Sequence, residues 1–161
     1  MDNLLKVGIA DMKVAKSEDG VITYALGSCV GVALYDSAKK ISGLVHVMLP
    51  EPGKNSKIDS IAKYATTGVP ELIKQMVGAG AMKSRITAKI AGGARMFTMK
   101  STSGIGDIGR RNAEMVKTML KREGIRLLGE DCGADYARTM VIFRADGRVE
   151  IKSYGHDQKV L

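Results

Sequence analysis

Two thiols and two imidazoles, Cys29 with Cys132 and His46 with His156, carry the strongest nucleophile and base chemistry in this chain. Cys29 lies in Leu26-Gly27-Ser28-Cys29-Val30-Gly31, between two strand-like runs and between two glycines. Small neighbours let a substrate approach the backbone, leave the thiol accessible and allow the Cys29 amide to help bind an oxyanion. Ser28 is a second candidate for that oxyanion role. His46 interrupts the apolar run Leu44-Val45-His46-Val47-Met48, so its ring needs a partner if the run is buried. A strand beside the one leading to Cys29 would bring imidazole and thiol together, the imidazolium lowering the thiol pKa and the ring serving as general base. Thr23, between Ile22 and Tyr24, is placed to accept a hydrogen bond from the second ring nitrogen and fix its tautomer, completing a Cys29/His46/Thr23 triad. Each residue also has a plainer reading, as a small buried hydrophobe, a core histidine and a strand-forming threonine.

Other patterns carry less chemistry. Cys29, His46, Cys132 and His156 lack the close ligand pairs of structural zinc modules, so no metal site is expected. Gly104-Ile105-Gly106-Asp107-Ile108-Gly109 has the letters of a dinucleotide-binding loop but follows a polar stretch and not a strand. Gly92-Gly93 ahead of Arg95 fits an anion nest, though a tight turn after a strand is the simpler account.

The elements that must hold these residues follow from periodicity. Strand patterns run over residues 4–10, 21–27, 30–35 and 41–48, the last two joined as a hairpin by Asp36-Ser37-Ala38-Lys39-Lys40. Pro50, Pro52 and Gly53 end that section in an irregular loop. Ser56 and Asp59 form a capping signature for a helix, which Gly68 and Pro70 should kink or divide and Gly78 and Gly80 stop. A strand over 86–91 precedes a long Ser/Thr/Gly loop over 98–106. Asp107 can cap a second helix with an apolar stripe of Ile108, Met115, Val116, Met119 and Leu120 opposite Lys117, Lys121 and Arg122. Asn112 falls on that stripe, either bracing a loop or a site from a buried position or touching water at its margin. After Gly124 come strand patterns over 125–129, 138–145 and 148–152, the last two joined by an Asp146-Gly147 hairpin turn with both residues at positive φ. Strands on either side of a helical middle predict an α+β fold, a layered mixed or antiparallel sheet with helices packed on one side.

At 161 residues, 45% of them hydrophobic, the chain suits one folded domain over 1–161 and is too apolar for a disordered one. Aromatics are 4% with no Trp, which argues against base-stacking platforms for single-stranded nucleic acid. The formal net charge of +8 arises between residues 83 and 126, where eleven Lys/Arg face three Asp/Glu. That stretch would suit an acidic partner or serve only as solvated surface. Two cysteines without a secretory pattern point to a reducing cytoplasm, and no apolar run approaches the ~20 residues of a membrane span.

Leu26-Gly27-Ser28-Cys29-Val30, His46-Val47-Met48-Leu49-Pro50, Gly92-Gly93-Ala94-Arg95-Met96-Phe97 and Ile108-Gly109-Arg110-Arg111-Asn112, in that order, resemble the CheD family of chemoreceptor glutamine deamidases. Gly133-Ala134 and Ala137-Arg138 depart from the family's usual Gly-Gly and Gly-Arg steps. The resemblance implies Cys29 as nucleophile, His46 as base and Thr23 as third member, on a fold similar to deamidating-toxin catalytic domains. It implies conversion of selected glutamines on the cytoplasmic helices of chemoreceptors to glutamate, without a cofactor. It also implies a CheC-type phosphatase as partner, and hence an alternative role as a regulatory binding module that docks on and stimulates CheC. A basic nucleic-acid binder is the remote alternative, since no binding motif accompanies the charge.

Overall fold

The computed structural model describes residues 3–96 and 107–161. The expected loop over 98–106, with Gly104 and Gly106 of the dinucleotide-like motif, lies outside the described residues. In chain order the elements are β1 (Leu4–Val7), β2 (Met12–Ala15), β3 (Gly20–Leu26), β4 (Val30–Asp36), β5 (Ile41–Val47), α1 (Ala65–Gly78), β6 (Thr87–Gly92), α2 (Ile108–Arg122), β7 (Arg126–Cys132), β8 (Arg138–Phe143), β9 (Val149–Lys152) and β10 (Lys159–Val160), with 3-10 turns at Ile61–Lys63 and Lys83–Arg85. The strands form two five-stranded sheets, ordered β1-β3-β8-β9-β10 and β2-β5-β4-β6-β7. Each is mixed, with parallel pairs β1/β3 and β6/β7 among antiparallel neighbours. The fold is α+β.

β4 and β5 are buried along their whole length because both of their faces are covered, which is why they read as nearly continuous apolar runs. Alternation sends Val30, Val32, Leu34, Val45 and Val47 into the core shared with the helices. Ala33, Tyr35 and Leu44 point the other way, into the core between the sheets with Val21, Leu26, Met140 and Ile142. The layers are therefore sheet, sheet, helices. Asp36 closes β4 as a buried carboxylate accepting hydrogen bonds from the Ala38, Lys39 and Met82 amides and the Arg85 guanidinium. Those donors outweigh its burial and hold its pKa down to about 2.

Several local expectations change. β1 stops at Val7, and Met12–Ala15 forms an edge strand beside β5 that the sequence reading did not contain. The first α-helix starts at Ala65, not near Ser56. Met48 and Leu49 donate to the Lys63 carbonyl while Ala65 donates to Leu49, and this holds Tyr64 in extended backbone ahead of α1. Asp59 binds Lys63 and the Tyr64 hydroxyl instead of capping. Pro70 sits inside α1 without dividing it. Asp107 occupies the N-cap of α2 but makes no capping bond, pairing with Arg110. In the β8/β9 turn only Gly147 has positive φ, at 76°. Its N–H donates to Phe143 and the Phe143 N–H to Arg148, which makes a longer turn than the expected two-residue one.

Candidate active site

Thr23 and His46 lie on facing sheets, both fully buried. Val7 pairs with Thr23 across β1/β3, and the Thr23 Oγ1 is 2.8 Å from the Val7 carbonyl oxygen. A carbonyl only accepts, so the hydroxyl spends its single proton there. The same oxygen is 2.8 Å from His46 Nδ1 and can only accept from it. Nδ1 therefore carries a proton, and in the neutral ring Nε2 carries the lone pair. Nε2 is buried and has no hydrogen-bond partner among the described residues. Burial pushes the imidazole pKa down to about 4, so the ring is neutral near pH 7.

Cys29 directly precedes β4. The β4/β5 register pairs Val30 with Val47 and Gly31 with His46, so alternation puts Cys29 on the same inter-sheet side as His46. The packing agrees: the half-buried Cys29 side chain lies against the inter-sheet core. Gly31 offers no side chain opposite the ring, and of its two diagonal neighbours, Cys29 and Ala33, only Cys29 carries a reactive group. Such diagonal pairs sit about 7–8 Å apart at Cα, within reach of a ring side chain. Burial pushes the Cys29 thiol pKa up, with its own backbone N–H pulling it partly back. Both groups are thus held neutral. This differs from the expectation of a thiol activated by a standing imidazolium, because removal from water disfavours each charged form.

The Cys29 loop is clamped from below. The Cys29 carbonyl accepts from the Gly93 N–H and the Gly27 carbonyl from Ala94, each at 2.8 Å. Gly92 has φ 114° and Gly93 φ 62°, and a Cβ on Gly92 would collide with the Cys29 carbonyl oxygen. The amides of Gly93, Ala94 and Arg95 are spent on the Cys29, Gly27 and Ala134 carbonyls. That excludes the anion nest and leaves the tight turn. Among the described residues the Ser28 and Cys29 N–H groups meet no acceptor other than the Cys29 sulfur. Asn112 is fully buried and donates to the Ser28 and Met48 carbonyls, so the bracing alternative is the observed one.

Residues 48–153 match the family described as CheD chemotactic sensory transduction. Over 157 residues the chain is 46% identical to the probable chemoreceptor glutamine deamidase CheD of Desulforamulus reducens, covering 98% of this chain and 95% of that protein. The chain belongs to the CheD family. A second CheD relative, from Lachnoclostridium phytofermentans, is 45% identical with 99% of each chain covered. The probable chemoreceptor glutamine deamidase CheD of Clostridium novyi is 46% identical over 94% of this chain and 93% of its own. Among solved structures, Bacillus licheniformis hypothetical protein YfiH (TM-score 0.43, 13% identity, 71% of this chain and 50% of that one) is a distant likeness. So is a DUF152 protein of Neisseria meningitidis (TM-score 0.46, 12% identity, 89% and 71% coverage).

In this CheD-family chain, Cys132 lies on β7 with its pKa pushed up to about 11 by burial and by Glu130, while His156 stacks on Tyr136. Among the described residues no His, Cys, Asp or Glu cluster could hold a metal ion. Two supports had no place in the sequence reading. The Val7 carbonyl orients Thr23, and a backbone acceptor leaves no mark in a sequence. Arg138 is a buried guanidinium bonded to Asp131 and to the Gly92 and Gly133 carbonyls, and it backs the turn beneath Cys29. A charge opening an apolar strand run was its signal. The basic stretch is partly neutralised within the chain, by Lys117 with Glu130, Arg110 with Asp107 and Glu114, and Lys83 with Glu123. Lys121 and Arg122 remain exposed.

Proposed function

We propose that the chain is a protein-glutamine deamidase of chemotaxis, with chemoreceptor cytoplasmic helices as substrate, Cys29 as nucleophile, His46 as base and Thr23 as orienting residue. The relatives' activity supports the reaction class. The observation that carries the assignment of roles is the double use of the Thr23 hydroxyl: by donating to Val7 it must accept from His46 Nδ1, which leaves the lone pair on Nε2 of a ring that shares its sheet face with Cys29.

His46 Nε2 takes the Cys29 proton as sulfur attacks the glutamine side-chain carbonyl carbon, giving a tetrahedral oxyanion. The Ser28 and Cys29 N–H groups are the donors suited to that oxygen. The imidazolium returns the proton to the departing nitrogen, and ammonia leaves a thioester. Water, deprotonated by His46, attacks the thioester carbon, and the C–S bond breaks to give glutamate and the restored thiol. One water is consumed and one ammonia released. A neutral pair suits this sequence, since the ring must accept a proton in one step and give it back in the next. Such a protein would work in the cytoplasm, where receptor helices and reduced thiols are found; among the described residues no helix is long and apolar enough to cross a membrane.

The test is incubation with a receptor cytoplasmic fragment, followed by peptide mapping for unit mass gains at glutamine. Wild-type protein should produce them and folded Cys29→Ala and His46→Ala should not. Full turnover by either variant would remove the corresponding role.

A further inference from the structure

We infer that Asn112 is a positioning residue for the Cys29/His46 pair, one side-chain amide fixing the distance between the loop that carries the nucleophile and the strand that carries the base. The inference rests on the roles proposed above for those two residues. Asn112 lies on the buried face of α2 and is fully enclosed. Its Nδ2 is 2.9 Å from the Ser28 carbonyl oxygen and 2.8 Å from that of Met48. Both partners can only accept, so the orientation of the amide is fixed and both of its N–H bonds are used.

The place of this clamp gives it its meaning. The β4/β5 ladder ends at the Val30/Val47 pair. Beyond it the two chains part: Met48 and Leu49 turn to the Lys63 carbonyl, and the Cys29 and Gly27 carbonyls turn to Gly93 and Ala94. Cys29 stands just outside the last ladder pair and His46 just inside it. Among the described residues, no other hydrogen bond ties residues 27–29 to 48–49. Asn112 closes that gap from a third element. Its Oδ1 is equally buried and meets no donor among the described residues. An amide with an orphaned oxygen is a poor way to fill core space, where an apolar side chain would carry no such cost. The two donated bonds are what it supplies.

The experiment measures Cys29 alkylation by iodoacetamide against pH, together with deamidation of a receptor fragment, on the full chain and on Asn112→Ala, Asn112→Asp and Asn112→Ser. His46→Ala serves as reference. If His46→Ala leaves the alkylation profile unchanged, the base assignment fails and the positioning role of Asn112 falls with it. If His46→Ala slows it, folded Asn112→Ala should shift toward the His46→Ala profile. Its kcat should fall about 100-fold, as expected for a displacement of about 1 Å between reacting groups, with KM little changed. Asn112→Asp keeps the shape but, held protonated by burial between two carbonyl oxygens, has one donor in place of two, and like Asn112→Ser it should lie between. A purely structural Asn112 would lower thermal stability in these variants yet leave Cys29 alkylation per folded molecule as in wild type, and that result overturns the proposal. Exchange of the Asn112 side-chain N–H protons in wild-type protein is a second measurement that needs no variant. Strong protection supports the clamp, and exchange at the free-amide rate refutes it.

Discussion

Replacing Thr23 by Val keeps the shape of the side chain and removes only the oxygen that serves two partners. The Val7 carbonyl then loses its donor and the His46 Nδ1–H its acceptor, both in a fully buried place. Each unsatisfied group costs about 1–3 kcal/mol, so stability should fall by roughly 2–6 kcal/mol. The ring has one escape, which is to move its proton to Nε2. That removes the orphaned donor at Nδ1 but blocks the nitrogen proposed to take the Cys29 proton. With the buried Nδ1–H left unpaired, the productive tautomer lies about 1–3 kcal/mol above the other, which lowers kcat about 5- to 160-fold, at 1.36 kcal/mol per factor of ten. The loss should be smaller than that of His46→Ala, because a misprotonated ring can still exchange its proton. Thr23→Ser retains the oxygen and should keep most of the rate. The assay is deamidation of a receptor fragment, with nitrogen-15 NMR of His46 to read the tautomer. A folded Thr23→Val protein with wild-type turnover, or a wild-type spectrum with the proton on Nε2, would refute the reasoning.

Acid should destabilise the protein in two stages. Because the His46 pKa drops from 6.5 to about 4 on folding, the unfolded chain binds the proton first. Its contribution is complete above pH 6.5 and is lost as pH falls toward about 4. The loss is about 3 kcal/mol, readable by urea unfolding against pH, and should vanish in His46→Gln. Asp36 acts lower, from 3.8 down to about 2, and should persist in that variant. With its thiol held up at about 11, Cys132 should stay unlabelled near neutral pH while Cys29 reacts, as peptide mapping will show; faster labelling of Cys132 would contradict the assignment of the nucleophile. Charge reversal at Lys121 and Arg122, leaving Lys117 in its pair with Glu130, should reduce receptor turnover at low salt without changing Cys29 alkylation. The difference should shrink as the Debye length falls below ~8 Å, and its absence at every ionic strength would make this face plain solvated surface.

Thr23 and His46 were legible because each is a polar side chain in an apolar strand run, where burial forces it to find a partner. Asn112 on the α2 stripe was visible for the same reason, and Cys29 for a different one, the glycines that flank it between two strands. What periodicity does not contain is long-range pairing. Nothing in residues 4–10 says that they lie parallel to β3, or that β3 leaves the β4/β5 sheet for the opposite one, yet this division makes Thr23 face His46 across the layers. Met12–Ala15 is short and only half-buried at an edge, so its pattern is weak. The late start of α1 depends on backbone hydrogen bonds between distant segments, Met48 and Leu49 donating to Lys63 and Ala65 and Thr66 donating to Leu49 and Pro50, a tertiary event that overrode a good capping signature.

The central claim is that Cys29 attacks a glutamine amide with His46 Nε2 as its base. It is tested most directly by deamidating a receptor fragment in heavy-oxygen water, with acid quenching at early times and mass analysis of both proteins. The account predicts a transient acyl adduct on the peptide containing Cys29 and one heavy oxygen in each new glutamate, both absent in folded Cys29→Ala and His46→Ala. Heavy-oxygen glutamate formed at the wild-type rate by Cys29→Ala, or an adduct on Cys132 in place of Cys29, would contradict it.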